Sequence, residues 1–318
     1  MRVLLAGELT AGGLAGSLRE GLERNCDLAL FDPYGASSQS IDHRGLMTRA
    51  RRLRARSRAS ARLIDQIERT RPDWVLLIKG RGLGDAIERI QQLGSRVACY
   101  YPDNPFWRGG DADALDRLAK TDLALVWSDR LRRQLQTRGI IAATVPFGYD
   151  QRWFAPHDPE ADRDGIVFLG TWSPRRERYL AALEGLPLTV CGSGWSRARS
   201  VEAATPIYEG RAGALLARAA IGINLLHPQC AGAHNMRTRE IVASGAAQLC
   251  DPGRDGTPLV NGHDCEWFDS PADLRIKAEL LLNSQDRCVT LAMSAQKKTL
   301  CETYAFRATQ IVERLEAA

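Results

Sequence analysis

Residues 232–251 read Gly-Ala-His-Asn-Met-Arg-Thr-Arg-Glu-Ile-Val-Ala-Ser-Gly-Ala-Ala-Gln-Leu-Cys-Asp, and this is the most informative stretch of the sequence. A glycine-bearing loop opens a short helix, predicted near Asn235–Ser244, which ends at Gly245 and runs directly into an apolar strand, Ala247–Cys250. A helix followed at once by such a strand is typical of the strand–helix–strand units of a parallel sheet. In these sheets ligands bind beyond the carboxyl ends of the strands, where helix N-termini present free N–H groups.

The charges at the start of this helix suggest an anionic ligand. Asn235 is a suitable N-cap, so the amides of the first turn would point at an anion. Arg237 and Arg239 stand in that first turn, where cations are mildly disfavoured unless an anion is present. Glu240 lies on the same helical face as Arg237 and could accept hydrogen bonds from ribose hydroxyls. The alternative is a surface helix whose arginine and glutamate only pair with one another.

The same alternation of strands and helices extends over the whole chain. Strands are predicted at 2–6, 28–31, 74–78, 97–101, 123–127, 143–145, 166–169, 188–191, 221–225 and 247–250. Helices are predicted near 13–24, 49–70, 85–93, 111–119, 129–138, 174–184, 211–219, 235–244, 271–283 and 289–316. Residues 146–164 are rich in Pro, Asp and aromatic residues and have no periodicity, which is typical of a linker. The sequence therefore predicts an α/β fold of two Rossmann-like domains with parallel sheets facing a central cleft, divided near residue 155.

Polar and glycine residues follow several of these strands. Gly170, Thr171 and Arg176 follow the strand 166–169, and Gly192 follows the strand 188–191, so all four are candidate ligand-binding residues. Asp103 follows the strand 97–101 and could act as a general base on a hydroxyl, or orient a sugar. The alternative is a plain turn, since Pro-Asp-Asn-Pro is also turn chemistry.

Several familiar motifs are absent. The sequence has no GxGxxG fingerprint, no P-loop, no HExxH and no GxSxG, which argues against a dehydrogenase, a P-loop kinase, a zinc protease and a serine hydrolase. No Asp-x-Asp motif follows a strand in the second half, so no metal site is expected. Arginines and helix-terminal amides would instead neutralise a leaving diphosphate.

The positive charge is concentrated in one segment. The net charge is +5, and residues 44–62 contain eight arginines and no acidic residue, Arg51, Arg52, Arg54 and Arg56 among them. One interpretation is a solvated helix face; the other is a docking surface for an anionic acceptor, membrane surface or acidic partner. Nucleic-acid binding is not expected, because the segment has no interleaved aromatic residues.

The second half resembles the donor domain of the CgeB-like, spore-maturation-type glycosyltransferases, which have the two-Rossmann GT-B architecture. The segments that carry the resemblance, in order, are Val145-Pro-Phe-Gly-Tyr-Asp150 with Phe154-Ala-Pro156, Ile166-Val-Phe-Leu-Gly-Thr171 with Arg175 and Arg176, Asn235–Gly245, and Asp251–Asp264 with Asp269–Asp273. The resemblance implies that the chain has an acceptor-side domain at 1–155, a nucleotide-sugar domain at 156–300, and a C-terminal helix at 301–318 that crosses back to the first domain.

The resemblance also implies roles for individual residues. Glu240 would contact the donor ribose, and the diphosphate would be surrounded by Gly170, Thr171, Arg176, Arg237 and Arg239. His234 lies in the same loop and would contact the sugar or a phosphate oxygen. Many related retaining enzymes carry a second glutamate eight residues before the first; here that position is Gly232, which leaves the stereochemical course open.

These observations predict a metal-independent glycosyltransferase. It would use a nucleotide diphosphate sugar as donor substrate, without a cofactor, and would act on the hydroxyl of an unidentified protein, glycan or small-molecule acceptor. The alternatives are a nucleotide-sugar 2-epimerase on the same scaffold and a catalytically silent nucleotide-sugar-binding protein. No signal peptide opens the sequence, which favours the cytoplasm.

Overall fold

The computed structural model describes residues 1–10, 12–33, 49–155, 162–230, 233–252 and 259–318; of residues 49–56 only the backbone is described. The chain divides into two compact units. Unit 1 comprises Met1–Pro146 and Tyr304–Ala318, and unit 2 comprises Phe147–Thr303. The division thus falls after residue 146 and again after residue 303, whereas the sequence suggested 155 and 300.

Unit 1 contains a parallel sheet of six strands in the order β2-β1-β3-β4-β5-β6. The strands are β1 (Arg2–Ala6), β2 (Asp27–Phe31), β3 (Trp74–Ile78), β4 (Arg96–Tyr101), β5 (Leu123–Val126) and β6 (Ala142–Thr144). Its helices are α1 (Leu14–Asn25), α2 (Arg49–Thr70), α3 (Ile87–Gln92), α4 (Ala114–Ala119), α5 (Asp129–Gln136) and α11 (Tyr304–Ala317). The strands are almost wholly apolar because helices cover both faces of the sheet.

Helix α11 packs closely against α1 within unit 1. A Cβ atom on Gly21 of α1 would lie 2.7 Å from the Cα of Ala305 and from the Cβ of Ala308, so the missing side chain permits the close approach. Ile311 and Leu315 of α11 are fully buried in the same core. Helix α11 therefore belongs to unit 1.

Unit 2 contains a parallel sheet of five strands in the order β11-β10-β9-β7-β8. The strands are β7 (Ile166–Leu169), β8 (Leu188–Cys191), β9 (Ile221–Asn224), β10 (Ala247–Cys250) and β11 (Glu266–Trp267). Its helices are α6 (Pro174–Ala181), α7 (Glu209–Arg218), α8 (Met236–Ala243), α9 (Pro271–Leu282) and α10 (Gln285–Thr299). Ser173 and Ser270 cap α6 and α9, each followed by a proline in the first helical turn. The predicted α/β class with two parallel sheets is confirmed.

The long final helix predicted at 289–316 is wrong, because the structure breaks it into α10 and α11. Residues 300–303 leave the helix and pair with Tyr149 instead. The Tyr149 hydroxyl donates to the carbonyl of Leu300 at 2.6 Å, and its amide donates to the carbonyl of Glu302 at 3.2 Å. These bonds compensate for helical hydrogen bonds lost at the break, which is where the chain passes from unit 2 to unit 1.

No helix in these described ranges has both the length and the apolar character needed to cross a membrane.

Candidate functional site

Helix α8 begins beyond the carboxyl end of β9 and leads into β10 through Gly245, which has a left-handed φ of 78°. The helix is almost wholly buried, since it lies between the sheet and α10, where the Gln296 amide donates to the carbonyl of Val242 at 3.1 Å. The alternative of a surface helix is therefore not observed, since Glu240 is only 7% exposed. The local sequence does not show this burial.

Arg237 and Glu240 face each other on α8. The Arg237 Nη1 lies 2.7 Å from the Glu240 Oε2. Both atoms are buried, and neither has a well-oriented hydrogen-bond partner in the described part of the chain. Burial raises the pKa of the Glu240 carboxyl, the positive charge of Arg237 opposes this rise, and nearby Asp150 adds to it. Arg237 and Glu240 thus pair as the surface-helix alternative supposed, but the pair is buried. A buried polar atom that lacks a well-oriented hydrogen bond costs free energy.

Asn235 occupies the N-cap position of α8, but its side chain does not cap the helix. Its Oδ1 instead accepts a hydrogen bond of 3.1 Å from the amide of Asn224, at the end of β9. The same amide donates at 2.9 Å to the hydroxyl of Thr238, which lies 2.7 Å from the Nδ1 of His234. A chain of polar contacts therefore connects the end of β9 to the entry of α8.

Arg239 lies apart from the Arg237–Glu240 pair. Its Nε donates to Glu302 at 2.9 Å, and its side chain is 4% exposed. A contact between Arg239 and a diphosphate would require this buried ion pair to break. Arg239 acts on His234 instead. Burial, together with the positive charge of Arg239, lowers the pKa of the His234 imidazole to about 4.

Arg176, on the first turn of α6, holds two strand ends together. Its guanidinium donates to the carbonyl of Leu225 after β9, at 2.8 Å from Nη2, and to the carbonyl of Thr171 after β7, at 2.7 Å from Nη1. Burial lowers the pKa of Arg176, and the charges of Arg175 and, more weakly, Arg237 lower it further, so Arg237 lies within electrostatic range of Arg176. Arginine cations within electrostatic range of one another are a suitable environment for a diphosphate.

Gly170 and Gly192 allow the chain segments after β7 and β8 to come very close. A Cβ atom on Gly192 would lie 1.9 Å from the carbonyl oxygen of Gly170, which no side chain could tolerate. The hydroxyls of Thr171 and Ser193 lie 3.2 Å apart, and the Trp172 amide donates to the carbonyl of Ser193 at 2.8 Å. The predicted candidates Gly170, Thr171, Arg176 and Gly192 therefore lie together at one edge of the sheet.

Three residues important for this arrangement were missed in the sequence. Asn224 and Thr238 form the polar chain to His234, and Asp251 accepts two hydrogen bonds from Arg175 and one of 2.7 Å from the Leu226 amide. The sequence contains a feature that could have identified each of these three residues. Asn224 and Asp251 are polar residues at the ends of apolar strands, and Thr238 follows His234 by four residues, one turn of helix.

Asp103 lies in unit 1, after β4, where its Oδ2 forms an ion pair of 2.9 Å with the Nζ of Lys79. Lys79 follows β3 and has a left-handed φ of 62°, a strained conformation for a residue with a side chain. The buried Arg117 stabilises it by donating to its carbonyl oxygen at 2.9 Å. A turn follows Asp103 and does not include it, since the Trp107 amide donates to the carbonyl of Asn104 at 3.1 Å.

The basic segment is only partly described. Residues 44–48 lie outside the described residues, and so do the side chains of Arg51, Arg52, Arg54 and Arg56, whose backbone forms part of α2 in unit 1. Gly232 also lies outside them. Over the residues that the structure does describe, no group of three or more His, Cys, Asp or Glu side chains is placed to hold a metal ion.

Comparison with known proteins finds a family similarity in the second half of the chain. Residues 175–313, which contain α8, match a family model described as glycosyl transferase-like, so this part of the chain is similar to glycosyltransferases. No curated protein matches the chain.

Solved structures show the fold over the whole chain. A sucrose-phosphate synthase from Thermosynechococcus elongatus is 12% identical, with a TM-score of 0.72, and the alignment covers 100% of this chain and 99% of that one. HepE from Anabaena in complex with UDP is 12% identical, with a TM-score of 0.67 and full coverage of both chains. A putative UDP-N-acetylglucosamine 2-epimerase from Listeria monocytogenes is 11% identical, with a TM-score of 0.62, covering 99% of this chain and 96% of that one. The fold is that of the GT-B glycosyltransferases.

Proposed function

We propose that this protein is a glycosyltransferase that moves a sugar from a nucleotide diphosphate sugar to a hydroxyl group of an acceptor. One observation carries the proposal. His234 Nε2 is buried without a hydrogen-bond partner in the described structure, and Arg237 Nη1 and Glu240 Oε2 are buried with only their 2.7 Å ion pair to each other; all three atoms lie at the entry and first turns of α8. Buried polar atoms are normally satisfied, and a bound polar ligand would satisfy these.

The chemistry of the three groups matches a nucleotide sugar. The carboxylate of Glu240 would accept hydrogen bonds from the ribose hydroxyls, and Arg237 with Arg176 would bind the diphosphate. When the bond between the sugar carbon and the phosphate oxygen breaks, these cations would stabilise the charge that develops on the leaving diphosphate. Support comes from the complex of HepE with UDP, since HepE shares this fold.

We further propose that no metal ion is needed, because the cations of Arg176 and Arg237 would supply the charge that a divalent ion provides elsewhere. For Asp103 we propose the role of general base that takes the proton from the acceptor hydroxyl. The CgeB-like subtype, a hexosyl donor and a cytoplasmic location are parts of the same proposal.

A turnover assay tests the proposal against its two alternatives. The protein would be incubated with a panel of nucleotide diphosphate sugars without acceptor, and both free sugar and epimerised donor would be measured. Slow release of sugar and nucleoside diphosphate, accelerated by an acceptor, supports a transferase. Epimer formation would assign the site to a 2-epimerase, and binding without any turnover would leave a nucleotide-sugar-binding protein.

A further inference from the structure

His234 is the most constrained polar residue of the site. It stands directly before the N-cap residue of α8 and is only 4% exposed. Its Nδ1 lies 2.7 Å from the hydroxyl oxygen of Thr238, whereas its Nε2 has no hydrogen-bond partner in the described parts of the chain. The protein thus supplies a hydrogen-bond partner for Nδ1, whereas among the described residues Nε2 has none and is available to a ligand.

The contacts around Thr238 determine which nitrogen carries the proton. The side-chain amide of Asn224 donates to the Thr238 hydroxyl oxygen at 2.9 Å and to the Asn235 Oδ1 at 3.1 Å. The hydroxyl oxygen accepts from this amide, and in the described residues the hydroxyl hydrogen has no acceptor other than the Nδ1 of His234, so it is directed at that nitrogen. A nitrogen that accepts a hydrogen bond carries no proton, so the proton of the neutral ring is on Nε2.

The surroundings also keep the ring neutral. Burial, together with the positive charge of Arg239, lowers the pKa of His234 to about 4. At physiological pH the imidazole is therefore an uncharged donor with a fixed orientation, and it is buried where an unused N–H would cost free energy.

We propose that His234 donates a hydrogen bond through Nε2–H to an oxygen atom of the sugar–diphosphate part of the bound nucleotide sugar. The inference rests on the proposed function and adds a defined chemical role for one residue. An uncharged donor would orient a phosphate or hydroxyl oxygen without placing a further cation beside Arg237 and Arg239. Asn224 and Thr238 are then positioning residues, which act by setting the tautomer.

Binding measurements on matched variants test the contact. His234→Phe keeps a flat ring without a donor, and His234→Gln places an amide N–H near the position of Nε2. We expect UDP or UDP-glucose to bind about tenfold more weakly to His234→Phe, and within about threefold of wild type to His234→Gln, since one hydrogen bond is lost in the first variant only. A loss with both ligands identifies a phosphate oxygen as the acceptor, and a loss with UDP-glucose alone identifies a sugar oxygen. His263→Gln, at a histidine whose side chain is 66% exposed, is the control for a histidine substitution and should bind as wild type does.

Nitrogen-15 spectra of the imidazole rings in the free protein test the tautomer directly. We expect His234 at pH 7 to show the pattern of a neutral ring protonated at Nε2, to lose this single form in Thr238→Val, and to keep it in Thr238→Ser. A ring protonated at Nδ1, or a cationic ring, would overturn the inference without reference to any ligand. Unchanged affinity in His234→Phe would overturn it while the proposed function stands. Failure of the wild type to bind any nucleotide sugar would overturn both.

Discussion

At the scale of single residues, Glu240 forms a buried ion pair with Arg237 on α8. The sequence identified this residue correctly as belonging to a polar group with Arg237, because the two are three positions apart on a helix. It could not show that Glu240 is only 7% exposed, because burial depends on tertiary packing and not on local spacing. Local spacing thus predicts which side chains meet, whereas tertiary packing sets their environment.

Replacing Glu240 should weaken donor binding. We expect Glu240→Ala to lose about 1.5–3 kcal/mol of nucleotide binding free energy, the usual contribution of hydrogen bonds to a charged group. Isothermal titration with UDP measures the loss, and circular dichroism checks that the variant is folded. A folded variant with wild-type affinity would remove Glu240 from the binding site.

The lowered pKa of His234 makes the stability of the protein depend on pH. An unfolded histidine has a pKa near 6.5, so between this value and about 4 the unfolded chain binds more protons than the folded one. The contribution of His234 to the free energy of unfolding is therefore fully present above pH 6.5 and decreases as the pH falls toward 4. From pH 7.5 to pH 5 we expect the wild type to lose about 2 kcal/mol relative to His234→Gln.

Denaturant unfolding of both proteins at the two pH values measures this difference. Groups that both proteins share, Glu240 among them, cancel in the comparison. An equal loss of stability in wild type and variant would show that the imidazole titrates normally.

At the scale of elements, the strands were the most predictable part of the fold. Most of them appear as short apolar runs, because buried parallel strands need apolar side chains on both faces. The break between α10 and α11 was not predictable, since residues 300–303 are held out of the helix by Tyr149, far away in sequence. The two-residue strand β11 was missed for a similar reason: its pairing with β10 defines it, not its composition.

The close approach of the segments after β7 and β8 depends on Gly192. We expect Gly192→Ala to destabilise the protein by about 1–3 kcal/mol, because its Cβ would meet the Gly170 carbonyl at 1.9 Å and force the backbone to move. Donor affinity should fall as well, since Thr171 and Arg176 would move with that segment.

Gly210→Ala is the matched control in the same unit. This glycine lies in α7, where a Cβ would have ordinary contact with Trp153 at 3.4 Å, so the substitution should be neutral or stabilising. Thermal unfolding and UDP titration of both variants provide the comparison. Equal stability of the two alanine variants would contradict the assigned role of Gly192.

Helix α2 of unit 1 contains residues 49–62 of the basic segment, whereas the proposed donor contacts all lie on unit 2. We expect the combined replacement of Arg51, Arg52, Arg54 and Arg56 by Gln to raise the Michaelis constant for the acceptor, most clearly at low salt, because electrostatic attraction is screened over about 8 Å at physiological ionic strength. Donor affinity should stay within about twofold of wild type. Replacing Arg19 and Arg24, exposed arginines of α1 in the same unit, is the control. Unchanged acceptor kinetics in the fourfold variant would make the segment an ordinary solvated helix.

At the scale of the whole molecule, the order of elements was enough to predict two α/β units, each with a parallel sheet. The GT-B fold confirms this prediction. The sugar, the nucleotide base and the acceptor do not follow from that order, because they depend on side chains at strand ends that vary independently of the core. The polar residues after β7, β9 and β10 are therefore where the function of this protein must be tested.

The most direct test of the central claim is a calorimetric titration of the wild-type protein with nucleoside diphosphates and their sugar conjugates in the presence of excess EDTA. We expect at least one of them to bind with a dissociation constant below about 1 mM, a typical upper value for enzyme substrates. Binding should be unchanged by EDTA and lost or strongly weakened in Glu240→Ala. If no nucleotide binds, or if binding requires added magnesium or manganese, the account of Arg176, Arg237 and Glu240 as a metal-free donor site is contradicted.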